Sequence, residues 1–220
     1  MRSLFKAAAI GLFVVASISP ANAQESVKEL ATKASAEMRL LTAFQTLERM
    51  TSQINHYLVY AIEAERGGWD IVEFNNAPEG YDTNAYIVRS TAEDVQFEIG
   101  RANSSILKSK VATEDELKNA EAAMDSLGVL VALAPQIADM VAEGELDAAA
   151  VLYHETGQPA HENALRGAQS SVSTVQKRLG KTLRRINNHG GSTDLGYRLI
   201  DSDSIASIGF PIWNPPSKAI

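Results

Sequence analysis

The chain has 220 residues, of which 45% are hydrophobic and 21% charged, with no cysteine and a formal net charge of −7. An acidic protein of this kind is a poor partner for nucleic-acid phosphates, which are bound by basic surfaces. The absence of cysteine excludes disulfides, thiolate metal ligands and covalent c-type haem attachment. The fold therefore has to be stabilised by side-chain packing.

The first 23 residues are typical of a secretory signal peptide. Arg2 and Lys6 precede an apolar run over residues 7–19, and an Ala-x-Ala site ends at Ala23. The run is shorter than the ~20 residues that span a bilayer, so cleavage after Ala23 is favoured over a retained membrane anchor. Loss of the two basic residues lowers the net charge from −7 to −9. We expect a periplasmic mature chain in which no later segment is apolar enough to span a membrane.

Two amphipathic helices are predicted in the first half of the mature chain. The first covers about residues 25–66, ends at Gly67 and Gly68, and carries apolar residues at heptad spacing: Phe44, Leu47, Ile54, Leu58 and Ala61. A connection rich in Asn, Pro and Gly follows over 69–83. The second helix covers about residues 84–108, and its inward face comprises Val88, Thr91, Val95, Ile99, Ala102 and Ile106.

Two further helices are predicted in the second half. The third begins at a capping box formed by Thr113 and Glu116 and ends at Gly144. Its apolar face is wide enough for more than one neighbour and comprises Leu117, Ala120, Met124, Leu127, Leu130, Val131, Leu133, Ala134, Ile137, Ala138, Met140 and Val141. The last helix runs from about residue 145 to about 188, with apolar residues at Leu165, Ala168, Val172, Val175, Leu179 and Ile186.

Four helices joined by short connections predict an all-α protein, an antiparallel four-helix bundle over residues 24–191 with long first and last helices. After Gly191 the helical period is lost, and three prolines occur among many apolar residues. This C-terminal tail, residues 192–220, is too apolar for a free linker. We expect it to be irregular and to pack on the bundle or dock a partner.

One stretch resembles a known family. Residues 140–179 combine an acidic turn around Gly144, an alanine-rich helix start at 148–150, Pro159 inside the helix, and a leucine and valine stripe after it. This pattern resembles the periplasmic four-helix-bundle sensor domains of bacterial chemotaxis receptors. The resemblance implies a bundle that senses a small molecule or a partner, often as a dimer. The chain departs from that family in having a cleavable leader and no second membrane helix or signalling module, and no ligand-contacting residue is carried over.

Both histidines of the stretch YHETGQPAHEN, residues 153–163, are expected to face the bundle interior, because they extend the stripe of Leu165 and Ala168 backwards. Pro159 removes a helical hydrogen bond between them and kinks the helix. A polar layer inside a bundle costs stability unless its groups are satisfied. The candidate ligand-binding residues are therefore His154, Glu155, Gln158, His161 and Glu162.

Three interpretations of these residues stay open. In the first, one or both histidines are hydrogen-bonded or lie in an exposed groove opened by the kink, with both glutamates in solvent. In the second, the helices enclose a polar pocket for a small molecule or peptide. In the third, His154 or His161 binds a metal or haem, since imidazole is a common ligand of transition metals.

The third interpretation faces two difficulties. The two histidines are seven positions apart in the sequence. On a straight helix this places them about 10.5 Å apart along the axis, too far to chelate one ion. The Glu-x-x-His motif of di-iron bundles does not occur in the sequence. A b-type haem needs only two axial ligands, for which four methionines are available, although methionine also fills irregular core gaps. They are Met38, Met50, Met124 and Met140.

No nucleophile motif, phosphate-binding loop, dinucleotide fingerprint or His-Glu-x-x-His sequence occurs, so the protein is not predicted to be an enzyme. We predict a non-catalytic periplasmic bundle that binds a small molecule or an envelope protein, with a homodimer as a candidate assembly. Two alternatives stay open: a haem- or metal-carrying bundle, and an accessory subunit of an envelope secretion or conjugation assembly. Basic residues near the end of the last helix are expected to complement its dipole: Lys177, Arg178, Lys181, Arg184 and Arg185.

Overall fold

The computed structural model describes residues 21–71 and 77–189, with side chains over 27–71 and 77–188. These residues are helical apart from the connections between helices, which confirms the predicted all-α class. They belong to two compact units, Lys33–Leu179 and a smaller one formed by Met1–Thr32 and Gly180–Ile220. Most of the predicted leader and all of the predicted tail, residues 192–220, lie outside the described residues.

Helix α1 spans Ala21–Gly67 and helix α2 spans Thr83–Leu107, close to the predicted bounds. At the end of α1, Gly68 has a φ of 66°, and its N–H and that of Trp69 return to the carbonyls of residues 65 and 64. This is a Schellman motif, which needs the left-handed backbone that glycine adopts most readily. At the start of α2, the Asp82 side chain accepts a hydrogen bond of 2.7 Å from the N–H of residue 85.

A buried asparagine organises the connection between α1 and α2. The Asn84 side chain accepts a 3.0 Å hydrogen bond from the Ile71 N–H. Its amide nitrogen donates to Glu65 Oε2 at 3.0 Å and to the Trp69 carbonyl at 3.2 Å. Because a carboxamide both donates and accepts, this one side chain satisfies polar groups on either side of the turn and fixes how the chain leaves α1.

Helix α3 spans Glu114–Ala142 and begins with the predicted capping box. The Glu116 N–H donates to Thr113 Oγ1 at 3.3 Å, and the Thr113 N–H donates to Glu116 Oε2 at 2.9 Å. The predicted wide apolar face is largely confirmed by its buried members, which are Ala120, Leu127, Leu130, Leu133, Ala134, Ile137, Ala138 and Val141. Leu117 is exposed, because it lies on the solvent side of the first turn.

Among the described helices, α3 alone is long and apolar enough to cross a membrane. Its most apolar 18-residue segment has a mean hydropathy of 1.4. The expectation that no segment after the leader is that apolar is therefore wrong by this measure. Core helices of bundles meet the same criterion, because a wide buried face requires many apolar residues. Leu127, Leu130 and Ile137 of α3 are fully buried in the larger unit.

The predicted last helix consists of three segments: α4 over Leu146–Leu152, a π-helical turn over Tyr153–Gly157, and α5 over Gln158–His189. In the π-turn the Gln158 N–H bonds to the Tyr153 carbonyl, five residues back instead of four. The turn directly precedes Pro159, which has no N–H to continue the α-helical ladder. The predicted irregularity at this proline thus takes the form of a π-turn, and the helix continues beyond it.

The core of the larger unit contains the apolar faces predicted for α1 and α2. All of the predicted α1 residues are buried, and Ile99 is the one member of the α2 set that is half-buried. Helix α5 contributes mainly small residues to the core: Ala160, Ala164, Ala168, Ser171 and Val175. In the smaller unit, the buried side chains among the described residues are Val27, Leu30 and Thr182.

Candidate functional site

The π-turn is held by an aromatic side chain that lies over a glycine. The Tyr153 hydroxyl donates a 2.6 Å hydrogen bond to Asn55 Oδ1 on α1. A Cβ atom added to the buried Gly157 would lie 2.8 Å from Tyr153 Cδ2. Glycine is therefore required at 157 if the ring is to keep its place, and the π-turn is anchored to α1 through Asn55.

Three exposed side chains form a hydrogen-bonded series along the outside of the helix, which we call the polar row: His154, Gln158 and Glu162. His154 Nδ1 lies 2.9 Å from Gln158 Oε1, and Gln158 Nε2 donates to Glu162 Oε1 at 3.2 Å. Because an amide oxygen only accepts, Nδ1 is the donor in the first contact. The row presents both donors and acceptors to solvent.

Two titratable groups flank the polar row. Burial lowers the pKa of half-buried His161, and the nearby Glu162 carboxylate offsets part of this effect. Burial raises the pKa of Tyr153, the hydrogen bond that its hydroxyl makes with Asn55 opposes this, and Glu162 adds to it. Both shifts favour the neutral form of the ring, because a partly buried charge loses hydration.

The predicted inward orientation of the histidine layer is wrong. His154, Gln158, Glu155 and Glu162 are exposed, and only His161 is half-buried. The inward stripe instead follows Ala160, Ala164 and Ala168 and continues through the predicted Val175 and Leu179. Helix α5 approaches α3 closely at Gly167. A Cβ atom at Gly167 would lie 3.0 Å from the Asn119 carbonyl oxygen on α3. The sequence prediction followed the larger Leu165, which is only half-buried at the flank of that stripe.

His154 is hydrogen-bonded and both glutamates are exposed, while the choice among the three interpretations of this stretch stays a prediction. The described residues contain no group of three His, Asp or Glu side chains placed to hold a metal ion. His154 and His161 do not converge on a common point inside the helices, since one is exposed and the other half-buried.

A second polar group, which we call the ionic cluster, lies inside the larger unit: Glu37 of α1, Glu116 of α3 and Arg178 of α5. The Arg178 guanidinium makes two hydrogen bonds to the Glu116 carboxylate, of 2.8 and 3.2 Å. Its Nε atom is 3.2 Å from Glu37 Oε1, an ion pair without hydrogen-bond geometry. The side chains of Glu37 and Glu116 are 0% and 2% exposed. One cation, whose side chain is 21% exposed, thus lies between two buried carboxylates.

The ionic cluster was not predicted from sequence. Arg178 was assigned to the helix dipole together with its basic neighbours, yet it lies more than two turns before the end of α5 and binds other helices. One signal was available. Glu37 occupies the heptad position between Leu30 and Phe44, so a charged residue stands where the spacing demands an apolar one.

Comparison with protein-family models, with characterised proteins and with solved structures gives no match to this chain.

Proposed function

We propose that the chain is an exported, non-catalytic helical-bundle protein of the periplasm that binds a small polar ligand or a partner protein at the polar row. The observation that carries the proposal is the exposed hydrogen-bonded series of His154, Gln158 and Glu162, which begins at a π-turn. π-turns occur frequently at functional sites. The leader-like residues 1–23 support export.

We also propose that the four helices pack as an antiparallel bundle. Three contacts between α1 and the last helix support this arrangement, because residue numbers fall along α1 as they rise along the last helix. The contacts are Tyr153 to Asn55, Gln169 to Glu48, and Arg178 to Glu37. An antiparallel order follows naturally when consecutive helices are joined by short connections.

Binding rather than catalysis suits the polar row. Its three side chains hydrogen-bond to one another along one helix, and each still presents polar atoms to solvent. A ligand with both donors and acceptors, such as a small polar molecule or an extended peptide, can replace these contacts without leaving a buried group unpaired. Half-buried His161 beside the row adds a ring whose neutral form is favoured.

The test is to isolate the protein from its own compartment and to identify by native mass spectrometry what co-purifies with it. The triple variant His154→Ala, Gln158→Ala, Glu162→Ala is expected to lose the bound species and keep its helical circular dichroism, because all three residues are exposed. The matched control replaces three exposed residues farther along α5 with alanine: Ser170, Thr174 and Lys177. Equal binding by both triple variants would refute a site at the polar row.

The cofactor alternative stays a prediction with its own measurement. Metal analysis and the absorption spectrum of the same preparation distinguish it, because near-stoichiometric metal or a haem band would favour a cofactor bundle. His154→Ala and His161→Ala would then test whether either histidine is a ligand. The assembly alternative depends on the tail. Deletion of residues 192–220 that preserves folding but removes a co-purifying envelope protein would support it.

A further inference from the structure

We propose that the outer face of α2 is an interface at which a second copy of this chain docks in an antiparallel orientation. This outer face comprises Glu93, Phe97, Gly100, Ser104, Leu107 and Lys108. The inference goes beyond the proposed binding at the polar row, since it concerns another helix and another kind of partner.

The outer face carries large apolar side chains where a lone bundle needs polar ones. Phe97 and Leu107 are each 67% exposed. They lie on the side of α2 opposite its buried residues, of which Val95 and Ile106 are fully buried. The core therefore gives no reason for an aromatic ring and a leucine here, and exposed apolar side chains on one face mark interaction surfaces.

Between these two side chains the surface is shallow and open to another helix. A groove of about 570 Å³ is lined by Phe97, Gly100 and Ser104 together with Gln96, Arg101 and Ser105. Nothing lies within 4 Å of the position that a Cβ atom would take at Gly100. A small residue flanked by larger ones lets the backbone of a second helix approach closely, in the manner of a ridge entering a groove.

The sequence of the outer face is complementary to itself when two copies run antiparallel. If Gly100 meets Ser104 of the second copy, Phe97 faces Leu107 of that copy and Leu107 faces its Phe97. The same register brings Glu93 within about one helical turn of Lys108 of the second copy. The two-fold symmetry makes every contact occur twice, as in isologous dimers.

Charge favours the same arrangement. Glu93 and Asp94 precede the groove and Lys108 follows it, so an antiparallel copy places opposite charges together. Glu93 lies too far inside α2 to be explained by the helix dipole, which acts within the first turn. Within the described part of the chain, neither Glu93 nor Lys108 forms an ion pair.

The first test is the oligomeric state of the protein, purified as the cell processes it, by sedimentation velocity over a range of concentrations. We expect a dimer whose dissociation constant rises about tenfold or more in Phe97→Ser and in Gly100→Arg, since such sites are central contacts. Gly128→Arg is the matched control, because Gly128 is also an exposed helical glycine with nothing within 4 Å.

The second test is a charge exchange. Glu93→Lys alone is expected to weaken the dimer, and Glu93→Lys with Lys108→Glu to restore it. The two residues are about 22 Å apart along one helix, so they cannot pair within a chain and a rescue requires two copies. A protein that stays monomeric, that responds equally to Gly100→Arg and Gly128→Arg, or that shows no rescue overturns the proposal.

Discussion

The two polar groups of the last helix differ in burial and in what they connect. The ionic cluster is buried and joins three helices through Arg178. The polar row is exposed, and its hydrogen bonds stay within one helix. Removing one member of the ionic cluster leaves a buried charge without its partner. Removing one member of the polar row leaves exposed neighbours that can hydrogen-bond to water instead. The folded state therefore depends on the ionic cluster staying intact, whereas the side chains of the polar row are free to exchange their hydrogen bonds for contacts with a ligand.

The largest expected effect comes from breaking the ionic cluster with Arg178→Met. Both carboxylates would stay buried without a cation, so the free energy of unfolding is expected to fall by about 3–5 kcal/mol. Urea denaturation measures the change. Lys177→Met, at an exposed neighbouring position, is the control and is expected to change stability by no more than ~0.5 kcal/mol.

A triple variant sharpens this test. Replacing Glu37 with Leu and Glu116 with Gln in the Arg178→Met background removes both buried charges while keeping a capping side chain at 116. Much of the lost stability should return, since well-packed neutral residues often match a buried ion pair. If the triple variant is no more stable than Arg178→Met, unpaired charge is not the cause of the loss.

A smaller effect is expected at the π-turn, where Gly157→Ala tests whether the site has a fixed geometry. The new methyl group would lie 2.8 Å from Tyr153 Cδ2 and push the ring away from Asn55. The expected loss is about 1–3 kcal/mol, the usual cost of overpacking.

The control for Gly157→Ala is Gly128→Ala, an exposed helical position with open space around it. Alanine there should raise stability by about 0.5–1 kcal/mol, because it favours the helix more than glycine does. Adding Tyr153→Ala to Gly157→Ala removes the collision and should abolish the penalty of the methyl group. A Gly157→Ala protein as stable as Gly128→Ala would mean that Tyr153 is not fixed over the turn.

The helix bounds could be predicted from sequence because their signals are local. The capping box at Thr113, the glycines that end α1 and α3, and Pro159 all act within a few residues. The stripe of the last helix after the proline was also predicted, at Ala168, Val175 and Leu179. Its phase before the proline was not, because the π-turn shifts the helical phase there. The ionic cluster also escaped prediction, since Arg178 binds Glu116, which is 62 positions away in the chain.

The smallest expected effect concerns the pH dependence of stability at His161. Burial lowers its folded pKa below the ordinary value of 6.5, while Glu162 beside it partly opposes the shift. The unfolded chain then binds the proton more readily, so stability is lost as the pH falls from above 6.5 through the lowered folded pKa.

Urea denaturation between about pH 8 and about pH 5 measures how the free energy of unfolding depends on pH. The slope of that dependence should be flatter in His161→Gln than in the wild type. Exposed His154→Gln is the matched control and should keep the wild-type slope. If His154→Gln flattens the slope instead, exposed His154, and not half-buried His161, links protonation to folding. The proposal that the polar row serves only to bind a ligand would then be wrong.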